Sequence, residues 1–429
     1  MERRRLFAPL TLLRRAPAFR LLFLATFGSS LGSLLAVIAL AIDVKDRTDS
    51  GTWVAALLLA NLLPGIAIGL TLGPLLDRLS RKRLMIVADL VRLAVFCVLP
   101  FAGSALAIVL LALVAGVALS FFRPAVYAGM PNLVDADDLP AANTLLLTFE
   151  NVTWAVGPLL GGLLVAASGP HLAYWINAAT FLFSALLIVR IPARLLQSAA
   201  PISKGHWRDV ADGLAIVRTS LALMTVLVAW SLAMLGKAAW DVAEVFLAKN
   251  TFSAGDFGYG LLYGASGVGL VVGSAVVAGL VGRLRIATLY GGGIALLGLG
   301  AALVAVSPNV WAAAAFAAAG GFGNGAALVC NALLVQQGSP DAVRGRAFTV
   351  IMGANYVALG LGMVAAGPFL DAVGGRWTAG AAAVAYLAAA GAAWLLARGM
   401  RAERAAAPVA PFEEAHAEAA VASPRERAI

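Results

Sequence analysis

Apolar residues along this chain come in long unbroken runs separated by short polar connectors. Runs of about 20 mainly apolar residues, the length a helix needs to cross a bilayer, fall near 20–42, 53–76, 84–103, 105–127, 144–167 and 171–190. After a longer polar stretch they resume near 216–241, 258–282, 286–307, 310–334, 346–370 and 376–397. Only helices or closed barrels satisfy every backbone N–H and C=O inside lipid. Barrel strands alternate apolar and polar positions over about 10 residues, whereas these runs are continuous. The pattern predicts an all-α polytopic membrane protein with twelve transmembrane helices. Pro100 and Gly103, between the third and fourth runs, supply the turn chemistry that such a division needs.

The spacing of the runs divides the chain. Residues 1–19 read as a cytoplasmic N-terminal segment, 20–190 as a first six-helix half, and 191–215 as a cytoplasmic linker. Residues 216–398 read as a second six-helix half, and 399–429 as a tail whose Ala, Glu and Pro content predicts disorder. The halves resemble each other. Gly157-Pro158-Leu159-Leu160 in the fifth span recurs as Gly367-Pro368-Phe369-Leu370 in the eleventh, 210 residues on. Pro131-Asn132-Leu133-Val134 meets Pro340-Asp341-Ala342-Val343 at an offset of 209, and the stretch Gly73 to Arg78 has a degenerate echo in Gly279 to Arg283. Landmarks at nearly one offset predict a duplicated unit and two pseudo-symmetric halves. Repeated halves around a midplane site are the architecture of many secondary transporters.

Composition narrows the class. Of 429 residues, 61% are hydrophobic and 12% charged, about half the charged share of a soluble domain. The net charge of +9 could suit nucleic acid, but the Lys and Arg lie in connectors, where they orient a membrane protein. With the N-terminus placed inside, 24 of the 31 fall in inside connectors and termini. Lys45, Arg47, Lys237, Lys249 and Arg376 fall outside. This asymmetry predicts a cell membrane protein with both termini in the cytoplasm. Arg3-Arg4-Arg5 before an apolar stretch imitates a secretory leader, but no small-residue cleavage site follows, and the run from Leu21 to Ile42 is long enough to span. Cys97 and Cys330 sit in separate apolar runs and read as small buried hydrophobes; His171, His206 and His416 are scattered. No metal-ligand spacing and no phosphate-binding Gly-Lys-Ser/Thr loop is present, so no cofactor, metal or ATP site is expected.

Two motifs carry mechanism. In Gly73-Pro74-Leu75-Leu76-Asp77-Arg78-Leu79-Ser80-Arg81-Lys82-Arg83, Gly73 permits close helix approach. The charge of Asp77 can meet a helix N-terminus or an Arg and hold a conformational gate; the simpler reading is a basic connector that only orients the chain. The stretch resembles the loop motif Gly-x-x-x-Asp-Arg-x-Gly-Arg-(Arg/Lys) of the major facilitator superfamily, with Ser80 where that family usually has Gly. The resemblance implies that Gly73, Asp77, Arg78 and Arg81 form the gate. In Gly157-Pro158-Leu159-Leu160-Gly161-Gly162, the proline bends the helix and the glycines give a flat packing face. That run resembles the Gly-Pro-x-x-Gly-Gly core of the family's antiporter motif, although Thr153 stands where the fuller motif has another Gly. Arg123-Pro124-Ala125, Pro131 to Val134 and Val343-Arg344-Gly345-Arg346 look like the family's macrolide and siderophore (enterobactin-type) exporter branch. The likeness covers about residues 18 to 398.

Ionisable groups inside spans are costly and mark function by default. Asp89 and Arg92, three apart on one helix, read as a structural pair. Arg123 and Glu150 can pair across neighbouring helices and switch with protonation, although the family's proton-linked Arg lies deeper in its fourth helix. Lys237, Asp241 and Glu244 share a face near the outer end of the seventh span, either as a solvated face or as part of an outer vestibule, and are proton-coupling candidates next in line after Glu150 and Arg123. Asp43 reads as the end of the first span. Asn61, Trp154, Asn331, Asn355 and Tyr356 are cavity candidates, with ordinary helix packing as the alternative.

Together these features, with the resemblance, imply a secondary active transporter: a monomeric, proton-coupled exporter of an amphipathic small molecule such as a drug, siderophore or secondary metabolite, working by alternating access. Its partners are the substrate, protons and the lipid bilayer, not nucleic acid. An importer of a small metabolite and a transport-dead receptor or insertion factor on the same bundle are the alternatives; no clustered nucleophile or His/Asp pair points to an enzyme. The charge asymmetry gives a direct test. A reporter active only outside the cytoplasm, fused to Ile429, is expected to stay silent; strong activity overturns the topology.

Overall fold

The computed structural model describes residues 8–71, 79–196, 206–281, 283–339 and 344–406. Gly73, Asp77, Arg78 and the Pro340 to Val343 repeat therefore lie outside the described residues. A short helix α1 (Ala8–Arg15) leads into α2 (Pro17–Thr48), whose Pro17 sits in the first turn, where a missing N–H is tolerated. The first half continues through α3 (Gly51–Thr71), α4 (Arg81–Val98), α5 (Ala105–Gly129), α6 (Leu139–Ser168) and α7 (Pro170–Val189). A polar helix α8 (His206–Thr219) follows, where the sequence suggested only a connector. The second half comprises α9 (Leu221–Phe246), α10 (Gly255–Leu280), α11 (Ile286–Val306), α12 (Val310–Gly338), α13 (Arg344–Val373) and α14 (Gly375–Ala406). All of these except α1 and α8 are long and apolar enough to cross a membrane, making 12 spans among the described residues.

Several boundaries differ from the expectation for local reasons. The first span does not end at Asp43. Its carboxylate is buried, accepting Arg47 Nε at 2.6 Å one turn on and the Tyr174 hydroxyl of α7 at 2.8 Å, so α2 runs on to Thr48. The seventh span does not end at 241: α9 runs on to Phe246 and continues into a π-helical turn, Leu247–Thr251. The last helix runs past 398 to Ala406.

The pairing of helices repeats between the halves. In the first, α2 packs on α6 and α7, α4 on α5 and α7, and α3 on α5. In the second, α9 packs on α13 and α14, α11 on α12 and α14, and α10 on α12. The halves meet along two seams that the same symmetry relates, α6 with α10 and α3 with α13.

Glycine makes those seams close. A Cβ on Gly162 of α6 would lie 2.7 Å from the Cα of Gly260 on α10, and one on Gly367 of α13 would lie 2.7 Å from the Cα of Thr52 on α3. Lipid gives no hydrophobic drive for helix association, so such backbone proximity supplies the van der Waals contact that joins helices.

The buried apolar side chains show how the halves are joined. At the end away from the chain termini, one cluster takes residues from both halves, including Ile38, Leu57, Phe181, Val245, Leu262 and Val304. Toward the terminal end the core separates into one cluster within the second half, around Trp230, Tyr290 and Tyr386, and one within the first, around Phe19, Phe122 and Leu145. Among the described residues, the buried core is thus shared between the halves at the far end and separate at the terminal end.

Within the first half, the expected Asp89–Arg92 pair is present and saturated. Arg92 Nη2 lies 2.5 Å from Asp89 Oδ1, Ser184 Oγ donates to Asp89 Oδ2 at 2.7 Å, and the guanidinium sits 4.4 and 4.3 Å from the ring centres of Phe122 and Phe181. Both residues are buried with their hydrogen bonds made, so they tie α4, α5 and α7 together.

Forcing a side chain into a packed seam costs about 1–3 kcal/mol. Gly260→Leu is therefore expected to part α6 from α10 and lower both the yield and the thermal stability of purified protein. Gly279→Leu, where the Cβ position is open, is expected to behave as wild type. Equal stability of the two variants contradicts the seam.

Candidate substrate cavity

A cavity of about 430 Å³ is lined by residues of both halves. Its wall from the first half is Asn151 and Trp154 of α6; the second half supplies the rest, from α9 to α14. Aromatic groups line much of it, among them Trp230, Trp240, Tyr263, Tyr356 and Tyr386. Trp154 stacks on Tyr263 across the α6–α10 seam, with ring centres 6.3 Å apart and 18° between planes. Amides of Asn324, Asn331 and Asn355 punctuate the apolar wall, and Ser231 Oγ donates to Asn355 Oδ1 at 3.0 Å. Apolar and aromatic walls with a few placed polar groups are the usual make-up of an organic ligand site.

Four of the five cavity candidates from sequence, Trp154, Asn331, Asn355 and Tyr356, line this space. Asn61 does not. It donates within its own helix to the Leu57 carbonyl at 3.1 Å, and α3 packs there on α5, where a Cβ on Gly116 would lie 3.2 Å from the Asn61 Cα. Nothing in the sequence separates it from Asn331; the face of the helix decides. The sequence reading missed Trp230, Trp240, Tyr263, Asn324 and Tyr386, which look like ordinary core residues until the two halves are placed together.

The charged face of α9 is also on the wall and is not a solvated outer face. Lys237 Nζ lies 2.8 Å from both carboxylate oxygens of Asp241, and both residues line the cavity. Glu244 lines it too, 2% exposed, and its Oε1 has no hydrogen-bond partner among the described residues. The order along the helix runs from the half-exposed Lys237 to the buried Glu244 at the cavity's far-end side. The shared face is legible in the spacing; its place on the cavity wall, with Glu244 buried, is not.

Arg123 and Glu150 do come together, loosely. Their nearest atoms are 3.4 Å apart, and the Arg123 side chain is 57% exposed. The firmer contact on Glu150 is the Tyr127 hydroxyl, which donates at 2.9 Å.

The Gly-Pro run of α6 sits where three helices meet. Gly157 and Gly161 face α2, their Cβ positions 2.8 Å from Leu34 Cβ and 3.0 Å from the Leu35 carbonyl, while Gly162 faces Gly260. Pro158 is inside α6, and its carbonyl lies 2.8 Å from the Cβ position of Gly260. From the gate stretch, Arg81 is described. It donates to the Ala128 carbonyl at 2.9 Å and the Leu196 carbonyl at 3.3 Å, while Lys82 donates to the Val189 and Ile191 carbonyls at 2.7 and 2.6 Å. Both cations thus meet the carbonyl ends of α5 and α7, a favourable placement for positive charge.

A twelve-span bundle with duplicated halves and a cavity between them is a transporter architecture, and comparison with known families agrees. The model of the transmembrane secretion effector family, a branch of the major facilitator superfamily, matches residues 6–427. The chain belongs to that family.

Among curated relatives, the enterobactin exporter EntS of Shigella boydii serotype 4 is 31% identical over 191 residues, 43% of this chain and 45% of that protein. EntS of Salmonella typhimurium is 32% identical over 199 residues, 45% and 48% of the two chains. The match therefore spans about half the length of these exporters. The multidrug efflux pump Tap of Mycobacterium tuberculosis is 27% identical over 385 residues, covering 84% of this chain and 88% of that one. Among solved structures, a bacterial homologue of the iron transporter ferroportin superposes with a TM-score of 0.69 at 15% identity, covering 89% of this chain and 98% of the other. A bacterial homologue of the human lysosomal transporter Spinster gives 0.68 at 12%, covering 90% and 97%. These structures share the fold.

Proposed function

We propose that this transporter exports amphipathic organic compounds across the cell membrane by alternating access, driven by inward proton flow. The observation that carries the reading is the aromatic and amide-lined cavity, with its Lys237–Asp241–Glu244 face, in a bundle fused at the far end and split at the terminal end. The Lys and Arg asymmetry supports a cytoplasmic position for the terminal end and both termini. The arrangement is then inward-facing, the state in which an exporter loads its cargo. The Gly-Pro-x-x-Gly-Gly core on α6 and the named activities of the enterobactin and multidrug exporters support the direction and the substrate class. Both halves are on one chain, so a monomer in the bilayer suffices for the cycle.

Proton coupling is assigned first to Glu244, with Asp241 and Lys237 as its charged neighbours. A carboxyl on the cavity wall with an unpartnered oxygen can exchange a proton when cargo arrives. Glu150, with Arg123 and Tyr127, is the second candidate. Asp77, with Gly73, Arg78 and Arg81, is assigned the gate at the terminal end.

Expressed in a host lacking its own exporters, the chain is expected to lower accumulation of amphipathic dyes severalfold and to raise growth-inhibition thresholds across a compound panel. Glu244→Gln is expected to abolish both, and to abolish proton release on adding cargo to purified protein matched for yield. Arg123→Ala is expected to retain release with a shifted pH optimum. Raised accumulation reverses the direction, and wild-type proton release from Glu244→Gln moves the coupling site elsewhere.

A further inference from the structure

Asp371 stands in the last turn of α13 at the far end, yet its carboxylate serves the other half of the molecule. It accepts the backbone N–H groups of Gly51 at 2.5 Å and Thr52 at 3.1 Å, and the hydroxyls of Ser50 at 2.9 Å and Thr52 at 2.6 Å. These donors belong to the first turn of α3 and the residue before it.

The first N–H groups of any helix lack partners within that helix, and that end carries partial positive charge. The common remedy is a Ser, Thr or Asp just before the same helix. Ser50 occupies that place, but its hydroxyl donates to Asp371, and the cap comes from across the seam. Gly367, one turn earlier on α13, permits the reach, since a Cβ there would lie 2.7 Å from Thr52 Cα and 3.0 Å from the Gly51 carbonyl. Asp371 has no Lys or Arg partner among the described ion pairs, so the helix end and two hydroxyls answer its charge.

Two other contacts cross the halves at this end. Lys249 Nζ lies 2.7 Å from Asp46 Oδ2 while also pairing with Asp256 in its own half, and Asn250 Nδ2 donates to Asp49 Oδ1 at 3.2 Å. That amide, with Lys45, holds the Asp49 carboxyl below its usual range, so the contact is made by a charged group. Each of these contacts joins the two halves at the far end, and parting the halves there would break it. A free-energy gain confined to one of two states shifts the balance between them.

We infer that Asp371 is a positioning residue of the transport cycle, a helix cap supplied by one half to the other that biases the molecule toward the state with its far end closed. The inference rests on the alternating-access reading.

The test is a distance distribution between spin labels at Gly103→Cys and Pro308→Cys, exposed far-end positions on opposite halves. It uses the full chain in liposomes, with Cys97 and Cys330 replaced. Asp371→Ala is expected to raise the ratio of open to closed far ends about tenfold, the scale of losing a helix cap. Asp371→Asn is expected to shift it less, because an amide oxygen still caps. Thr52→Ala is expected to shift it least, because both backbone donors remain. Each variant is expected to keep wild-type yield. Wild-type populations in Asp371→Ala overturn the inference, as does loss of folded protein in both Asp371 variants without a population shift. If wild type itself shows one distance with and without cargo, alternating access fails and takes the inference with it. If wild type exchanges and the variants do not shift, only the assignment to Asp371 fails.

Discussion

The architecture depends on the backbone contact between the two halves. In lipid, apolar side chains gain nothing by leaving the solvent, so helices associate through close packing and a few polar contacts. Gly162 against Gly260, and Gly367 against Thr52, let α6 meet α10 and α3 meet α13 with no side chain between them. Next to these seams a single apolar cluster spans both halves; toward the terminal end each half buries its own. Two bodies packed independently at one end and fused at the other have a built-in axis about which one can rock against the other.

The distribution of charge separates scaffold from mechanism. Asp89, Arg92 and Ser184 form a closed network inside the first half, and Asp43 with Arg47 and Tyr174 forms another. Breaking such a pair leaves an uncompensated buried charge, so these groups hold their helices in one arrangement. Glu244 differs: it is buried on the cavity wall with one oxygen unpartnered, beside a Lys237–Asp241 pair that is partly open to the cavity. A polar group left unsatisfied in a native membrane protein is where protons or cargo have something to gain, which favours Glu244 over the looser Arg123–Glu150 contact for the proposed coupling role.

The spans, the duplication and the family were legible in the sequence because each is a pattern along the chain: run length, a repeat near 210 residues, and local motifs. The repeated Gly-Pro run lies on α6 and α13, one helix of each seam. What lay outside sequence reasoning was rotation and depth. Asn61 and Asn331 are the same residue type in similar helices, and only packing turns one to a helix interface and the other to the cavity. Glu244 shares a face with Lys237 and Asp241 along the chain, but that this face lines the cavity follows only from how α9 packs. Asp371 carried no signal, since its partners lie some 320 residues away in the chain.

Alternating access as proposed requires one cavity that faces the terminal end at rest and the far end after rocking. Substituted cysteines at Asn151 and Asn355, on opposite halves of the cavity wall, in a background without Cys97 and Cys330, test it with a membrane-impermeant maleimide applied from each face of sealed vesicles. Both positions are expected to react from the terminal face in resting protein, and reactivity from the far face is expected to rise once cargo and a proton gradient are supplied. Reaction from the far face alone at rest, or from one face only under every condition, contradicts it.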